Sequence, residues 1–268
     1  MKLSALSRIS LRTVALGYLF VLLVLPLIII LWRTFEEGFV AFYDSITTPA
    51  AISAFQVSLI IVAIVVPVNV VFGVVTALAL VRGRFPGRNL VQGVVDLPFA
   101  VSPVVVGVAL ILLWGAGGWF GGLEDLGFKV IFSLPGMVIA TIFVTLPFVV
   151  REVEPVLHEI GDEQEQAAAT LGASGQQTFW RITLPAIRWG LTYGVVLTVA
   201  RALGEFGAVI MVSSALPGQS LTLTLLVHGR YINDHNAFGA YSAATLLMGM
   251  ALVVLLLMTL LERKRAAQ

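Results

Sequence analysis

Arg201 and Glu205 stand four residues apart in Arg201-Ala-Leu-Gly-Glu205-Phe-Gly207, inside a long apolar stretch. On a helix that spacing places both charges on one face. A charge in a membrane interior costs about 2.5–3.5 kcal/mol on insertion scales, so such a residue faces packed protein or a watery path. Two chemistries fit. One is a mutual ion pair that fixes helix packing; the other is a path for an anion, lined by the guanidinium. Gly204 and Gly207 flank the glutamate and would let another helix approach closely. A second polar group lies in Asp96-Leu-Pro-Phe-Ala-Val-Ser102-Pro103. Asp96 is about two turns into its apolar stretch, where it can cap or pair. Ser102-Pro103 is deeper, where a broken helix exposes backbone groups to a solute.

Residues for making or breaking bonds are not found. The nearest approach to a phosphate-binding loop is Gly122-Leu-Glu-Asp-Leu-Gly127-Phe128-Lys129. There Phe128 displaces the lysine, and no Ser or Thr follows. The helical zinc-hydrolase, calcium-loop and nucleophile-elbow patterns are absent as well. The chain has no cysteine and three histidines, His158, His228 and His235, which argues against a His/Cys metal cluster. The expectation is a chain with no catalytic residue, no metal ligand and no cofactor of its own.

A third feature is a polar segment. From Glu152 it is acidic, and then runs Glu165-Gln-Ala-Ala-Ala-Thr-Leu-Gly172-Ala-Ser-Gly-Gln-Gln-Thr-Phe-Trp-Arg-Ile182-Thr-Leu184-Pro185. This reads as a short helix, a turn and a second short helix. Ala167 to Ala169 favour helix and offer a partner a small flank. Gly172 suits the turn, because glycine accepts a positive φ. Phe179 and Trp180 can fix the second helix at a membrane boundary. Pro185 suits the first turn of the next helix.

The elements that must carry these groups are membrane spans. The chain is 59% hydrophobic and 12% charged, where soluble domains carry about 25% charge. Only lipid absorbs that excess, because it accepts apolar side chains on every face of a helix. Apolar stretches at about 13–32, 55–81, 90–114, 135–151, 186–213 and 238–261 predict six transmembrane helices in an all-α polytopic protein. The first stretch is too long for the apolar part of a secretory leader and reads as a retained span. Pro67, Pro98, Pro103 and Pro147 fall inside these stretches and predict kinks.

Basic residues set the orientation. Lys2, Arg8 and Arg12, then Arg82, Arg84 and Arg88, then Arg151, Arg181 and Arg188, then Arg263, Lys264 and Arg265 gather at one set of ends. The other ends hold only Arg33, Lys129 and Arg230. Both termini are therefore expected in the cytoplasm, with the segment 152–184 as the longest cytoplasmic loop. The external segments, about 33–54, 115–134 and 214–237, include Gly117-Gly118-Trp119-Phe120-Gly121-Gly122. Its aromatic residues read as helix-end anchors or as a docking surface for an external protein. The net charge of +1 names no partner.

The polar loop resembles the EAA loop of ABC-importer permeases, whose pattern is Glu-Ala-Ala, three residues, Gly, nine residues, Ile-x-Leu-Pro. Gln166-Ala167-Ala168, Gly172 and Ile182-Thr183-Leu184-Pro185 fall at that spacing. The departure is Gln166, which stands where the pattern has glutamate, with Glu165 just before it. In that family the loop forms a coupling helix seated in a cleft of the ATPase subunit. The resemblance thus assigns Glu165, Gln166, Ala167, Ala168, Gly172, Ile182, Leu184 and Pro185 to ATPase coupling.

Further stretches resemble the sulfate and molybdate permeases, and most closely the CysW-type subunits of sulfate/thiosulfate importers. These are Asp96 to Gly107, Phe143 to Glu152 and Ala200 to Val209, and the likeness covers roughly residues 55 to 260. It implies the type I importer permease (MetI-like) fold. It divides the chain into an N-terminal segment 1–53, a transmembrane domain 54–260 with the coupling loop 157–185, and a cytoplasmic tail 261–268. It implies a bacterial inner-membrane complex with a second, CysT-like permease, two copies of a CysA-like ATPase that hold ATP and Mg, and an external sulfate-binding protein. Ser102, Arg201 and Glu205 are the candidates for the translocation path. Importing a dianion against about 100 mV costs roughly 4.6 kcal/mol. This chain has no nucleotide site, so the drive must come from a docked partner. Alternatives are a molybdate or tungstate permease and, more distantly, a six-span secondary anion transporter or channel without an ATPase.

Overall fold

The computed structural model describes residues 5–266, and side chains from 11 to 260. Lys2 lies outside the described residues, as do the side chains of Arg8, Arg263, Lys264 and Arg265 and the last two residues of the 261–268 tail. The described chain is helical, with no strand.

The first apolar stretch forms α1 (Ala5–Leu19) and α2 (Leu25–Phe35), joined through a π-helical turn at Phe20–Val24. Pro26 accounts for the turn. It has no N–H, and its ring crowds the carbonyl of Leu22, so the helix widens just before it. The apolar part of this run is not buried within the chain. Near its end Thr34 is buried, with its hydroxyl 2.8 Å from that of Thr245. A short α3 (Phe39–Ile46) leads to α4 (Pro49–Arg82), whose first turn is capped by the Thr48 hydroxyl accepting from the Ala51 N–H.

The third predicted span is two helices. Here α5 (Arg88–Ala100) and α6 (Pro103–Trp114) meet at 113°. A residue before proline is pushed out of the helical region. Ser102 duly sits at φ −59°, ψ 133°, and Val101 is extended as well. Pro103 thus starts a helix where a kink was expected. After the one-turn α7 (Gly122–Asp125) comes α8 (Leu134–Ile160). It runs nine residues past the predicted end of its span. Charges begin at Arg151, but Val149, Val150, Val153 and Leu157 continue a fully buried stripe beneath them.

The polar segment forms α9 (Glu163–Thr170) and α10 (Gly175–Thr178), the predicted helix–turn–helix. A π-helical turn at Phe179–Thr183 then runs into α11 (Leu184–Leu203). Pro185 stands just beyond that turn, as Pro26 does beyond the first. The predicted span 186–213 stops early, at Leu203. Glu205 folds its carboxylate onto the next helix, α12 (Gly207–Val212), where Oε1 accepts from the Ala208 N–H at 2.8 Å. Next come α13 (Leu223–His228), a π-helical turn at Gly229–Asn233, and α14 (Ala237–Ala266), which extends into the predicted tail. Among the described residues, five helices are long and apolar enough to cross a membrane, and the bent α5–α6 pair makes a sixth if counted as one span.

The long α8 is the axis of the bundle. Toward one end it packs with α4, α5 and α11 through Val74, Leu80, Val95, Val149, Leu157 and Ile187. Toward the other it packs with α4, α6 and α12 through Ile61, Val106, Val144 and Val209, and Leu223 of α13 joins the same core. A Cβ on Gly73 would lie 2.6 Å from Val149, so glycine is what lets α4 approach so closely. Midway, Asn69 Nδ2 donates to the Thr145 hydroxyl at 2.6 Å, a buried polar clamp between α4 and α8.

Candidate coupling surface and anion path

The turn after α9 is built by backbone chemistry. Gly172 has φ +86°, the left-handed region that favours glycine. Its N–H donates to the carbonyl of Ala169 and that of Ala173 to the carbonyl of Ala168, both at 3.0 Å. These two bonds are the Schellman closure of a helix end. The next helix starts with a capping box. The Ser174 hydroxyl accepts from the Gln177 N–H, and the Gln177 side chain accepts from the Ser174 N–H. Both ends of the turn are thus fixed without a buried side chain.

The eight coupling candidates divide into two groups. Gln166, Ala167 and Gly172 are exposed, and Ala168 is half-buried beside them. Leu171, which the sequence reading passed over, projects from the tip at 89% exposure. An apolar residue just before a helix-ending glycine was the available signal. The other group faces the chain. Leu184 packs against the end of the bundle around α8, as does Phe179, and Ile182 is half-buried. Glu165 pairs inward with Arg82 at 3.0 Å. Pro185 is exposed on the helix itself, and Trp180 is exposed, edge-on to Phe179.

Arg201 and Glu205 do approach each other, with Arg201 Nη1 2.6 Å from Glu205 Oε2. Oε2 makes no hydrogen bond, so the contact is an ion pair without hydrogen-bond alignment. They share no continuous helix face, because α11 ends at Leu203. Their roles also separate. Glu205 is buried, holding Arg201 with one oxygen and the start of α12 with the other. Arg201 is about a third exposed and lines a cavity of about 480 Å³ at the α5–α6 bend. Ser102, Pro103, Val144 and Phe148 also line it. Ser102 gives α6 no side-chain cap, so the first N–H groups of that helix have no side-chain acceptor there. A guanidinium and an open helix start facing one cavity suit an anion. The bend is held by close packing of α6 on α12. A Cβ on Gly107 would fall 2.5 Å from Met211, and one on Gly207 would fall 3.0 Å from Pro103. The expected close approach therefore occurs at Gly207, whereas Gly204 has only ordinary contacts.

Asp96 pairs, as one of its two expected roles, with Arg151 Nη2 at 2.6 Å. It joins α5 to α8. No cluster of three potential metal ligands occurs among the described residues.

Residues 69–267 match the family described as binding-protein-dependent transport system inner membrane component. The sulfate transport system permease protein CysW of Synechocystis is 49% identical over 251 residues, covering 93% of this chain and 91% of that protein. The protein of the same name from Escherichia coli K12 is 46% identical over 256 residues, 93% and 87% of the two chains. A bacterial alginate ABC transporter, solved in complex with an alginate pentasaccharide-bound periplasmic protein, superposes with a TM-score of 0.78. The match covers 94% of this chain and 91% of that one at 19% identity, and it shows a shared fold. The chain belongs to the binding-protein-dependent transport system inner membrane component family, and it is a multi-pass membrane protein.

Proposed function

We propose that this family member is one permease half of an ATP-driven importer that moves sulfate or thiosulfate across a bacterial inner membrane. What carries the reading is the exposed, backbone-closed turn at Gln166–Gly172. It is a preformed knob at the end of the bundle where the basic residues gather, and among the described residues none of its side chains is buried. The sulfate assignment is supported by relatives that carry that name at 46–49% identity over nine-tenths of this chain.

In this reading the α9 end faces the cytoplasm, and Leu171 and Gly172 enter a cleft of an ATPase that holds ATP and Mg. Six spans can line a path but hardly enclose one, so a second, CysT-like permease completes it. The 0%-buried apolar face of the first span is then covered by lipid and by that partner. An external binding protein delivers the anion. ATP closes the ATPase pair, the coupling helices move together, and the permease halves open outward. The dianion pauses in the cavity at the α5–α6 bend, where Arg201 and the start of α6 offset its charge. Glu205 holds Arg201 in place and stays out of the path.

The test is uptake of labelled sulfate in a strain lacking this chain, with and without the chain restored. Restoration should return uptake, and a modest excess of molybdate should not compete. Uptake that returns but is abolished by molybdate would reassign the cargo.

A further inference from the structure

The coupling helix α9 has no buried residue. With only Glu165 and Ala168 half-buried, van der Waals packing ties it weakly to its neighbours. Behind it lies a cavity of about 330 Å³, lined by Leu78, Ala169, Thr178 and Phe179 among others. Glu165 and Thr183 line that cavity as well.

Glu165 crosses it. Its Oε2 accepts from Arg82 Nε at 3.0 Å, and its Oε1 accepts from the Thr183 hydroxyl at 2.7 Å. Arg82 is the last residue of α4. Its Nη1 donates to the carbonyl of Leu157 at 3.2 Å, and its Nη2 donates to the carbonyl of Gly161. One guanidinium–carboxylate pair therefore joins the end of α4, the end of α8, the coupling helix and the turn that opens α11. Charge-assisted bonds of this kind are stronger than neutral ones and hold direction.

We propose that Arg82, Glu165 and Thr183 form the linkage that carries motion of the coupling helix into α4, α8 and α11. Glu165 is then a positioning residue that acts within this chain, and Gln166, Ala167 and Leu171 are left to meet the partner. The sequence pattern puts a glutamate at 166, on the exposed side. Here position 166 is glutamine, and the carboxylate of Glu165 turns inward. The proposal rests on the coupling reading above.

The experiment uses the complete importer in proteoliposomes and records sulfate taken up per ATP hydrolysed. Glu165→Gln should lower that ratio about tenfold, while ATP hydrolysis and the amount of co-purified ATPase stay within about twofold. Arg82→Gln should do the same, and the double variant should be no worse than either single one. Thr183→Val, which keeps the ion pair, should give a smaller loss, and Glu165→Asp should recover part of the ratio. An unchanged ratio in Glu165→Gln overturns the proposal. So does a proportional fall of uptake, hydrolysis and complex yield, which would make the pair a fold-holding contact only. If the unaltered chain takes up sulfate without ATP or any ATPase, the coupling reading fails first, and the linkage fails with it.

Discussion

Arg82 and Arg230 both tie helix ends together, at opposite ends of α4, and they do it with different chemistry. Arg230 is 8% exposed, and its hydrogen bonds among the described residues go to neutral acceptors. It donates to the carbonyl of Gly239 at 2.9 Å, the hydroxyl of Thr48 at 2.9 Å, and the carbonyl and hydroxyl of Ser45 at 3.1 and 3.3 Å. Burial pushes its guanidinium below the usual value, and nearby Asp234 opposes part of that shift. Arg82 has a carboxylate partner, and both side chains keep about a fifth of their surface in water. To move Arg230, four bonds to neutral acceptors would have to break together, and the Gly239 carbonyl among them is buried. Arg82 can shift against Glu165 while water covers what is briefly uncovered. The far clamp therefore suits a fixed joint between α3, α4 and α14, and the near one suits a joint that passes movement on.

The sharpest way to break that contrast is to remove the fixed joint. Arg230→Met should cost about 2–4 kcal/mol, because the Ser45 and Gly239 carbonyls lose a charged donor. A thermal aggregation series in detergent would read this as a clear drop in midpoint, and an unchanged midpoint would make the clamp incidental. Next in size is the turn at the mobile end. Gly172→Val should cost about 1–2 kcal/mol through its φ of +86° alone, since no atom lies within 4 Å of the added Cβ. That loss should fall on sulfate uptake and leave the aggregation midpoint nearly unmoved. Gly172→Asn, which accepts the left-handed region more readily, should keep most uptake. Equal loss in both would mean that the turn's shape is not what matters. The smallest effect is expected midway between the two joints. Asn69→Leu removes one interhelical hydrogen bond, worth about 0.6 kcal/mol in such bundles. It also removes an amide oxygen that has no partner. Yield and uptake should both stay near those of the unaltered chain, and a large fall in either would place a third joint between the first two.

The helical class and the number of apolar stretches were legible because burial in lipid leaves a compositional record that needs no partner. The turn at Gly172 was legible for a similar reason. Gly172 closes a helix through its own neighbours, and local backbone rules reach that far. Boundaries failed where long-range contacts overruled local pattern. Charges at Arg151 and Glu152 mark the end of an apolar run, yet Val153 and Leu157 find α4 and α11 beneath them, and the helix goes on. The apolar run 90–114 reads as one span, yet Ser102-Pro103 turns it through 113°. The stretch 186–213 breaks at Glu205, whose carboxylate serves as a cap to α12.

The sequence alone determined that this chain is built of membrane spans and that Gln166 to Gly172 can close as a helix and a turn. Those are properties of composition and of residues a few positions apart. Tertiary structure decided how the charged pairs are used. It separated Arg201, at a cavity, from Glu205, spent on packing. It joined Glu165 to Arg82 across 83 positions of chain. No periodicity encodes that pairing, because it exists only once α4 and α8 have packed and brought their ends to the same place.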